Sequence, residues 1–450
     1  MNNDTICALA TAPGGALGII RISGPDAFSI VSALCSVCCD TVAANTTRFT
    51  HIKDGENIID EVMVSVFKSP HSYTGEDSVE ISCHGSAYIL NKVLELLVQK
   101  GCRMANPGEF TQRAYLNGKM DLSQAEAVAD LIASSNKATH QLAISQLRGG
   151  ISTELSRLRA QLLKLTSLLE LELDFSDHED LEFADRSELL NLANEIDTHI
   201  TRLAQSFEAG QAIKQGIPVA IVGKTNVGKS TLLNQLVGDN RAIVSDIHGT
   251  TRDTIEETME INGVQFRFID TAGIRQTHDE VEKIGIDRTL HKIKEARIVI
   301  WMLDQQPSNS EINEMHTLSE GKQSIYVHNK ADLVDSATFT LYIQPLVMIS
   351  AKKGEGIDHL KARIYEEAQQ AGLTTNANDI IVSNARHYDA LLRAHDSIGR
   401  VIDGLHQNLS GDLLAEDLRQ AIDILAEITG GQITPQETLN NIFSHFCVGK

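Results

Sequence analysis

Basic residues are in deficit in this chain. Its 39 Lys and Arg face 60 Asp and Glu, leaving a formal net charge of −21 over 450 residues. A protein that coats nucleic acid without a partner must neutralise phosphates and is normally basic, so any RNA contact is expected through a local patch or a partner protein. Long apolar runs are also missing. No stretch approaches the roughly 18 apolar residues that cross a bilayer, so no membrane span is expected. Residues 1–24 lack a basic segment followed by an apolar core, so no secretory leader is expected. Cysteines number seven, an odd count that argues against a disulfide framework and for a reducing, cytoplasmic setting. Cys35, Cys38 and Cys39 cluster without a second Cys/His pair at zinc-ligand spacing, and read as buried or half-buried thiols. No internal repeat or low-complexity tract occurs.

Proline is scarce where it matters. None of the eight falls between Pro107 and Pro218, or between Pro345 and Pro435, which permits long helices there. The first gap carries Leu155, Leu158, Leu162, Leu165 and Leu169 at alternating steps of three and four. The second carries Leu414, Leu418, Ala421, Leu425 and Ile428. Both stripes predict helices that pack on each other. The acidic run Glu170–Glu182, with seven carboxylates, reads as a solvated helix end or connection.

What is present divides the remainder in two. In residues 1–118, short β-rich runs such as Val62–Phe67 and Ser78–Ile81 alternate with Gly, Pro and Ser breaks, predicting an α/β domain. Between the helical stretches, apolar strands are expected at Val219–Val222, Phe266–Ile269, Ile298–Leu303, Ile325–Val327 and Val347–Ile349. Helical segments between them imply a parallel sheet covered on both faces. The fold expected is therefore multidomain α/β plus α-helical. An α/β domain spans 1–118, a discontinuous helical domain spans 119–215 and 374–450, and inserted within it is a domain spanning 216–373, whose glycine-bracketed Gly223–Ser230 between a predicted strand and helix marks a Ras-like P-loop domain.

The inserted segment carries the chemistry. Gly223-Lys224-Thr225-Asn226-Val227-Gly228-Lys229-Ser230 follows a predicted strand and opens a helix, the setting of a phosphate-binding loop, with Thr231 next. Lys229 is expected at the β and γ phosphates, and the Ser230 hydroxyl on Mg²⁺. Asp270-Thr271-Ala272-Gly273 supplies a carboxylate for Mg²⁺ through water and an amide for the γ phosphate. Thr251, in the intervening loop, is the candidate for a second Mg²⁺ hydroxyl. Asn329-Lys330-Ala331-Asp332 supplies a carboxylate that can accept from guanine N1 and N2. Adenine has no such donor pair, so the motif selects GTP. Ser350-Ala351-Lys352 offers an amide to guanine O6. Ile274 follows Gly273, where many small G proteins keep a water-orienting Gln, so another group must hold the water.

Further residues carry a resemblance over essentially the whole chain. They are Gly18–Gly24, Asn106–Thr111, Ala114–Lys119, Gly249-Thr250-Thr251-Arg252-Asp253, and the terminal Phe446-Cys447-Val448-Gly449-Lys450. The chain resembles the MnmE (TrmE) family of tRNA-modification GTPases. The resemblance implies hydrolysis activated by K⁺, with Asn226, Ser245, Ile247 and Thr250 as its ligands and Glu282 positioning water. It implies nucleotide contacts along Ser245, Asp246, Ile247, His248, Gly249, Thr250 and Thr251. It also implies an N-terminal domain that holds a homodimer and binds 5-formyl- or 5,10-methylene-tetrahydrofolate through Arg21, Glu80, Lys119 and Lys450. With an FAD-dependent partner, MnmG (GidA), such proteins modify C5 of the wobble uridine in tRNA, adding a carboxymethylaminomethyl-type group. Cys447 is read either as a thiol buried beside Phe443 and Phe446 or as a group with a direct catalytic part. Two other classes are weighed: a GTP-switched ribosome-assembly factor, which would need a basic RNA-binding domain, and a membrane-remodelling GTPase, which would need a basic amphipathic face.

Overall fold

The computed structural model describes residues 4–12, 14–174, 186–238, 257–269, 293–333, 346–374, 380–431, 436–444 and 446–449, with only the backbone described at 171–174 and 436–437. The chain divides into two compact units. One comprises Met1–Ala133, Ala143–Leu192 and Arg400–Lys450; the other comprises Ser134–Leu142 and Ala193–Gly399.

The first unit is built on a sheet of β1 (Ile6–Leu9), β2 (Leu17–Ser23), β3 (Thr46–Asp54), β4 (Asn57–Phe67), β5 (Ser78–His84) and β6 (Arg103–Met104). The spatial order is β3-β4-β5-β2-β1-β6, antiparallel except for the β1–β6 pair. Alternation explains its two faces. In β4, Val62, Val64 and Val66 are buried, while Glu61 and Met63 are exposed. The buried face is covered by α1 (Ala27–Leu34) and α2 (Ala87–Gln99), through Phe28, Val31 and Leu34 and through Leu90, Val93 and Leu97. Cys39 and Cys83 are core residues here, and burial pushes the Cys35 thiol up to about 12, which leaves it protonated. Cys38 is exposed, contrary to the expectation of a buried or half-buried thiol.

After α3 (Glu109–Leu116), the helices α4 (Leu122–Ala133), α5 (Lys137–Leu147), α6 (Gly150–Asp174) and α7 (Arg186–Gln215) follow. The expected leucine stripe of α6 is buried throughout, at Leu155, Leu158, Leu162, Leu165 and Leu169. Its partner is the helix Gly411–Thr429, whose Leu414, Leu418, Ala421, Leu425 and Ile428 are likewise buried. Two helices so far apart in sequence therefore share one seam, and the strands of the second sheet fall between them along the chain. Of the acidic run, Glu170 reaches Arg419 at 3.2 Å, and residues 175–182 lie outside the described residues.

The second unit holds the other sheet, in the order β12-β11-β10-β7-β9-β8. Its strands are β7 (Ile217–Gly223), β8 (Glu257–Ile261), β9 (Val264–Phe268), β10 (Ile298–Leu303), β11 (Gln323–His328) and β12 (Leu346–Met348). Five strands run parallel, and β10 is buried at every position, as a strand covered on both faces must be. The sheet differs from the all-parallel expectation at one edge. β8 pairs antiparallel with β9 through the turn Asn262-Gly263, where both residues have positive φ. Among the described residues no helix is long and apolar enough to cross a membrane, and no group of three or more His, Cys, Asp or Glu could hold a metal ion.

Candidate nucleotide and C-terminal tail sites

β7 ends at Gly223, and α8 (Lys229–Gly238) begins six residues later. The loop between them turns through left-handed backbone at Asn226 (φ 63°) and Gly228 (φ 104°). Gly228 has no room for a side chain, because a Cβ there would collide with the Asn329 amide nitrogen. Lys229 Nζ donates to the carbonyls of Gly223 and Lys224, both at 2.7 Å. Ser230 is the second residue of α8, so its hydroxyl and the helix N-terminus sit at the same end of the loop. Val227 is buried, Ser230 is half-buried, and Asn226 and Thr231 are exposed.

Asn329 links this loop to the base-recognition segments. It is 4% exposed. Its Nδ2 donates to the Val227 carbonyl at 2.7 Å, and its Oδ1 accepts from the Ala351 amide at 2.9 Å. One buried side chain thus joins three loops at the carboxyl ends of β7, β11 and β12, where open parallel sheets bind ligands. Asp332 is held by the Ser350 hydroxyl at 2.9 Å, and that bond keeps its carboxyl below the ordinary range. Lys330 has left-handed backbone (φ 65°), and its ammonium meets Asp304 at 2.7 Å. Lys352 is exposed. Lys224 pairs with Glu311 at 2.7 Å, and Glu311 also caps the helix Asn309–Leu318 by accepting from the Ser308 amide. Together these bonds, Lys224 first, lower Glu311 to about 2. Asp304 and Glu311 are partners that sequence reasoning missed; their signals were a carboxylate directly after β10 and the Ser308–Glu311 capping-box spacing.

Ser245, Asp246, Ile247, His248, Gly249, Thr250, Thr251, Asp270, Thr271, Ala272, Gly273, Glu282 and Lys450 lie outside the described residues.

In the first unit, Arg21 and Glu80 face each other across the β2–β5 pair, with Arg21 Nη2 2.7 Å from Glu80 Oε1. Arg21 Nη1 donates to the Gly449 carbonyl at 3.1 Å. Its guanidinium lies 5.6 Å from the Tyr73 ring centroid and 5.7 Å from that of Phe110. Phe110 lies in the Asn106–Thr111 motif; Tyr73 was not marked from sequence, though a tyrosine in the polar loop before β5 was the available signal. Lys119 is bonded instead to the Pro70 carbonyl at 2.8 Å.

The tail reaches this cluster because Phe443 and Phe446 are buried with Leu122, Ala125 and Leu439, and because the Gly108 amide donates to the Cys447 carbonyl. The Cys447 side chain is exposed, which overturns its reading as a buried thiol. The two phenylalanines fill the core, and Cys447 is not part of it. In the same unit, Arg103 and Arg113 bind Asp4 and the buried Glu109, and Arg113 also reaches Glu76.

A largely parallel sheet that carries a phosphate-binding loop after β7 and an Asn-Lys-Ala-Asp loop after β11 defines a P-loop GTPase domain. The family model for the GTP-binding protein TrmE N-terminus matches residues 5–119, and that for the MnmE helical domain matches residues 122–447. A protein of Bacteroides thetaiotaomicron named tRNA modification GTPase MnmE is 54% identical over 100% of both chains. Proteins of the same name from Phocaeicola vulgatus and Porphyromonas gingivalis are 52% and 50% identical, over 100% of this chain and 99% and 98% of theirs. The chain belongs to the MnmE family of tRNA modification GTPases.

Proposed function

We propose that this protein is a K⁺-activated GTP hydrolase that takes part in C5 modification of the tRNA wobble uridine. It would work as a homodimer held by its N-terminal domain, with an FAD-dependent partner of the MnmG kind. The one-carbon unit would come from a tetrahydrofolate derivative. The domain boundaries proposed with it are 1–118, 216–373, and a helical domain of 119–215 with 374–450. The observation that carries the nucleotide reading is the Asn329 bridge between Val227 and Ala351, with Asp332 held by Ser350 beside it. An ionised carboxylate there accepts from guanine N1 and N2, and adenine would leave it unpaired.

The oxygen donors present suit hard cations. The Ser230 hydroxyl, with Thr251, would hold Mg²⁺. The Asn226 side chain, with Ser245, Ile247 and Thr250, would hold K⁺. K⁺ would supply positive charge to offset the charge developing on the phosphates, the part an arginine plays in other GTPases. Lys229 leaves the carbonyls of Gly223 and Lys224 to pair with phosphate oxygens. The amides of Gly228 and Lys229 orient the phosphates, Glu282 holds the attacking water, and Asp332 fixes the base. The Arg21–Glu80–Gly449 cluster, with Tyr73 and Phe110 beside it, supports the folate reading, because a pterin ring and a glutamate tail require stacking surfaces and charged partners. Cys447, exposed at that end of the tail, is the candidate for direct chemistry.

Purified protein is expected to hydrolyse GTP much faster in KCl than in NaCl at equal ionic strength; equal rates remove the K⁺ role. Mass spectrometry of tRNA nucleosides from a deletion strain tests the modification, and unchanged wobble uridines favour a ribosome-assembly role.

A further inference from the structure

The geometry points to Asp304 as a positioning residue that sets how long a guanine nucleotide stays bound, by holding the Lys330 side chain in place. The inference rests on the reading of Asn329–Asp332 as the guanine loop. Asp304 is the first residue beyond β10, and Lys330 is the second beyond β11. The two strand ends are joined in register, Leu303 opposite His328, and the Asn329 amide donates to the Leu303 carbonyl at 2.8 Å. The Lys330 Nζ to Asp304 Oδ2 pair, at 2.7 Å, continues that ladder by one side-chain step.

Lys330 is therefore fixed at both ends. Its backbone lies in the left-handed region between Asn329 and Asp332, and its ammonium is tied to Asp304. The stem between is an apolar strip on the loop that meets the base. An untethered lysine loses up to about 2 kcal/mol of rotamer freedom when a ligand orders it. A tethered one has lost that freedom before the nucleotide arrives. The pair is partly screened, with side chains 38% and 26% exposed, so its effect is modest.

The test is stopped-flow dissociation of fluorescent GDP from the full chain in KCl and Mg²⁺. Asp304→Asn and Lys330→Met, which keeps the stem and removes the charge, are each expected to speed release about fivefold. The double variant is expected to be no faster than the faster single one, because Asp304 acts through Lys330. Asp304→Glu restores slow release. Fluorescent IDP, which lacks the 2-amino group read by Asp332, is released faster from Asp304→Asn by the same factor as GDP. Unchanged release from Asp304→Asn, or effects that multiply in the double variant, would overturn the proposal. Equal retention of ADP and GDP by the unaltered protein would instead strike the guanine reading, while coupling between positions 304 and 330 is still read within each nucleotide. If Asp304→Asn does not fold, Asp304→Ser, which also removes the charge, takes its place in the same comparison with Lys330→Met and the double variant.

Discussion

Arg21 donates to the carbonyl of Gly449, a residue 428 positions away, at 3.1 Å. The bond brings the end of the chain to the second strand, where the same guanidinium holds Glu80. Gly449 has φ 91°, and a Cβ there would collide with the Leu9 carbonyl. Glycine is therefore the residue that lets the tail lie against β1.

Gly449→Ala is expected to release the tail. Proteolysis near Cys447 should become faster, and affinity for 5-formyltetrahydrofolate should fall about tenfold, the equivalent of one charge-assisted contact. Calorimetric titration with a protected, tightly binding variant would show that the tail plays no part in that site.

Asn329→Ala removes two buried hydrogen bonds and leaves the Ala351 amide and Val227 carbonyl unmatched. Stability of the second unit should fall by about 2–3 kcal/mol. Guanine nucleotide affinity should fall with it, more than tenfold, in equilibrium dialysis. Wild-type affinity would separate the bridge from the nucleotide site.

Asp332→Asn replaces an acceptor pair by an amide that can donate to a 2-oxo group. The variant should lose preference for GTP and gain preference for xanthosine triphosphate, as competition for a fluorescent nucleotide would report. Retained discrimination for guanine would move the base site elsewhere.

Glu109 is 6% exposed. Burial acts to raise its pKa, but bonds from Arg103, the Asn106 amide and Arg113 outweigh it and hold the carboxyl below 4.5. Asp4 is likewise lowered, burial being outweighed by Arg103 and Arg113. A depressed folded pKa stabilises the protein above the unfolded value, and that stability is lost as pH falls below it. The first unit should therefore melt at progressively lower temperature as pH falls below about 4.5. Glu109→Gln should lower the melting temperature near neutrality and flatten that acid slope; an unchanged slope assigns it to other carboxylates.

Leu162 lies fully buried in the α6 stripe. Leu162→Ala should cost about 2–5 kcal/mol in urea unfolding of the first unit, through lost burial and the cavity left behind. A loss below 1 kcal/mol, roughly the mark of a site that collapses freely, would deny the seam with Gly411–Thr429 its role.

Much of this was legible from local pattern. The leucine stripes read as helices because 3.6-residue periodicity is a property of the segment itself. The strands β7, β10 and β11 read as continuous apolar runs, since burial on both faces leaves no alternation to misread. The motifs at Gly223–Ser230 and Asn329–Asp332 were legible because phosphate and guanine each demand particular backbone and side-chain groups at short spacing. β8 escaped because it is a short edge strand of mixed polarity, Glu257–Ile261, whose identity comes from pairing with β9.

Sequence alone thus determined most of the element types, β8 excepted, together with the nucleotide motifs and the family resemblance, all written in neighbouring residues. Tertiary structure alone decided that Asn329 bridges Val227 and Ala351, that Asp304 holds Lys330, that Lys119 bonds Pro70, and that Cys447 faces solvent beside buried Phe446. These are relations between side chains distant in sequence. Hydrogen bonds and ion pairs form wherever the packed backbone brings partners within about 3 Å, and no local periodicity encodes that meeting.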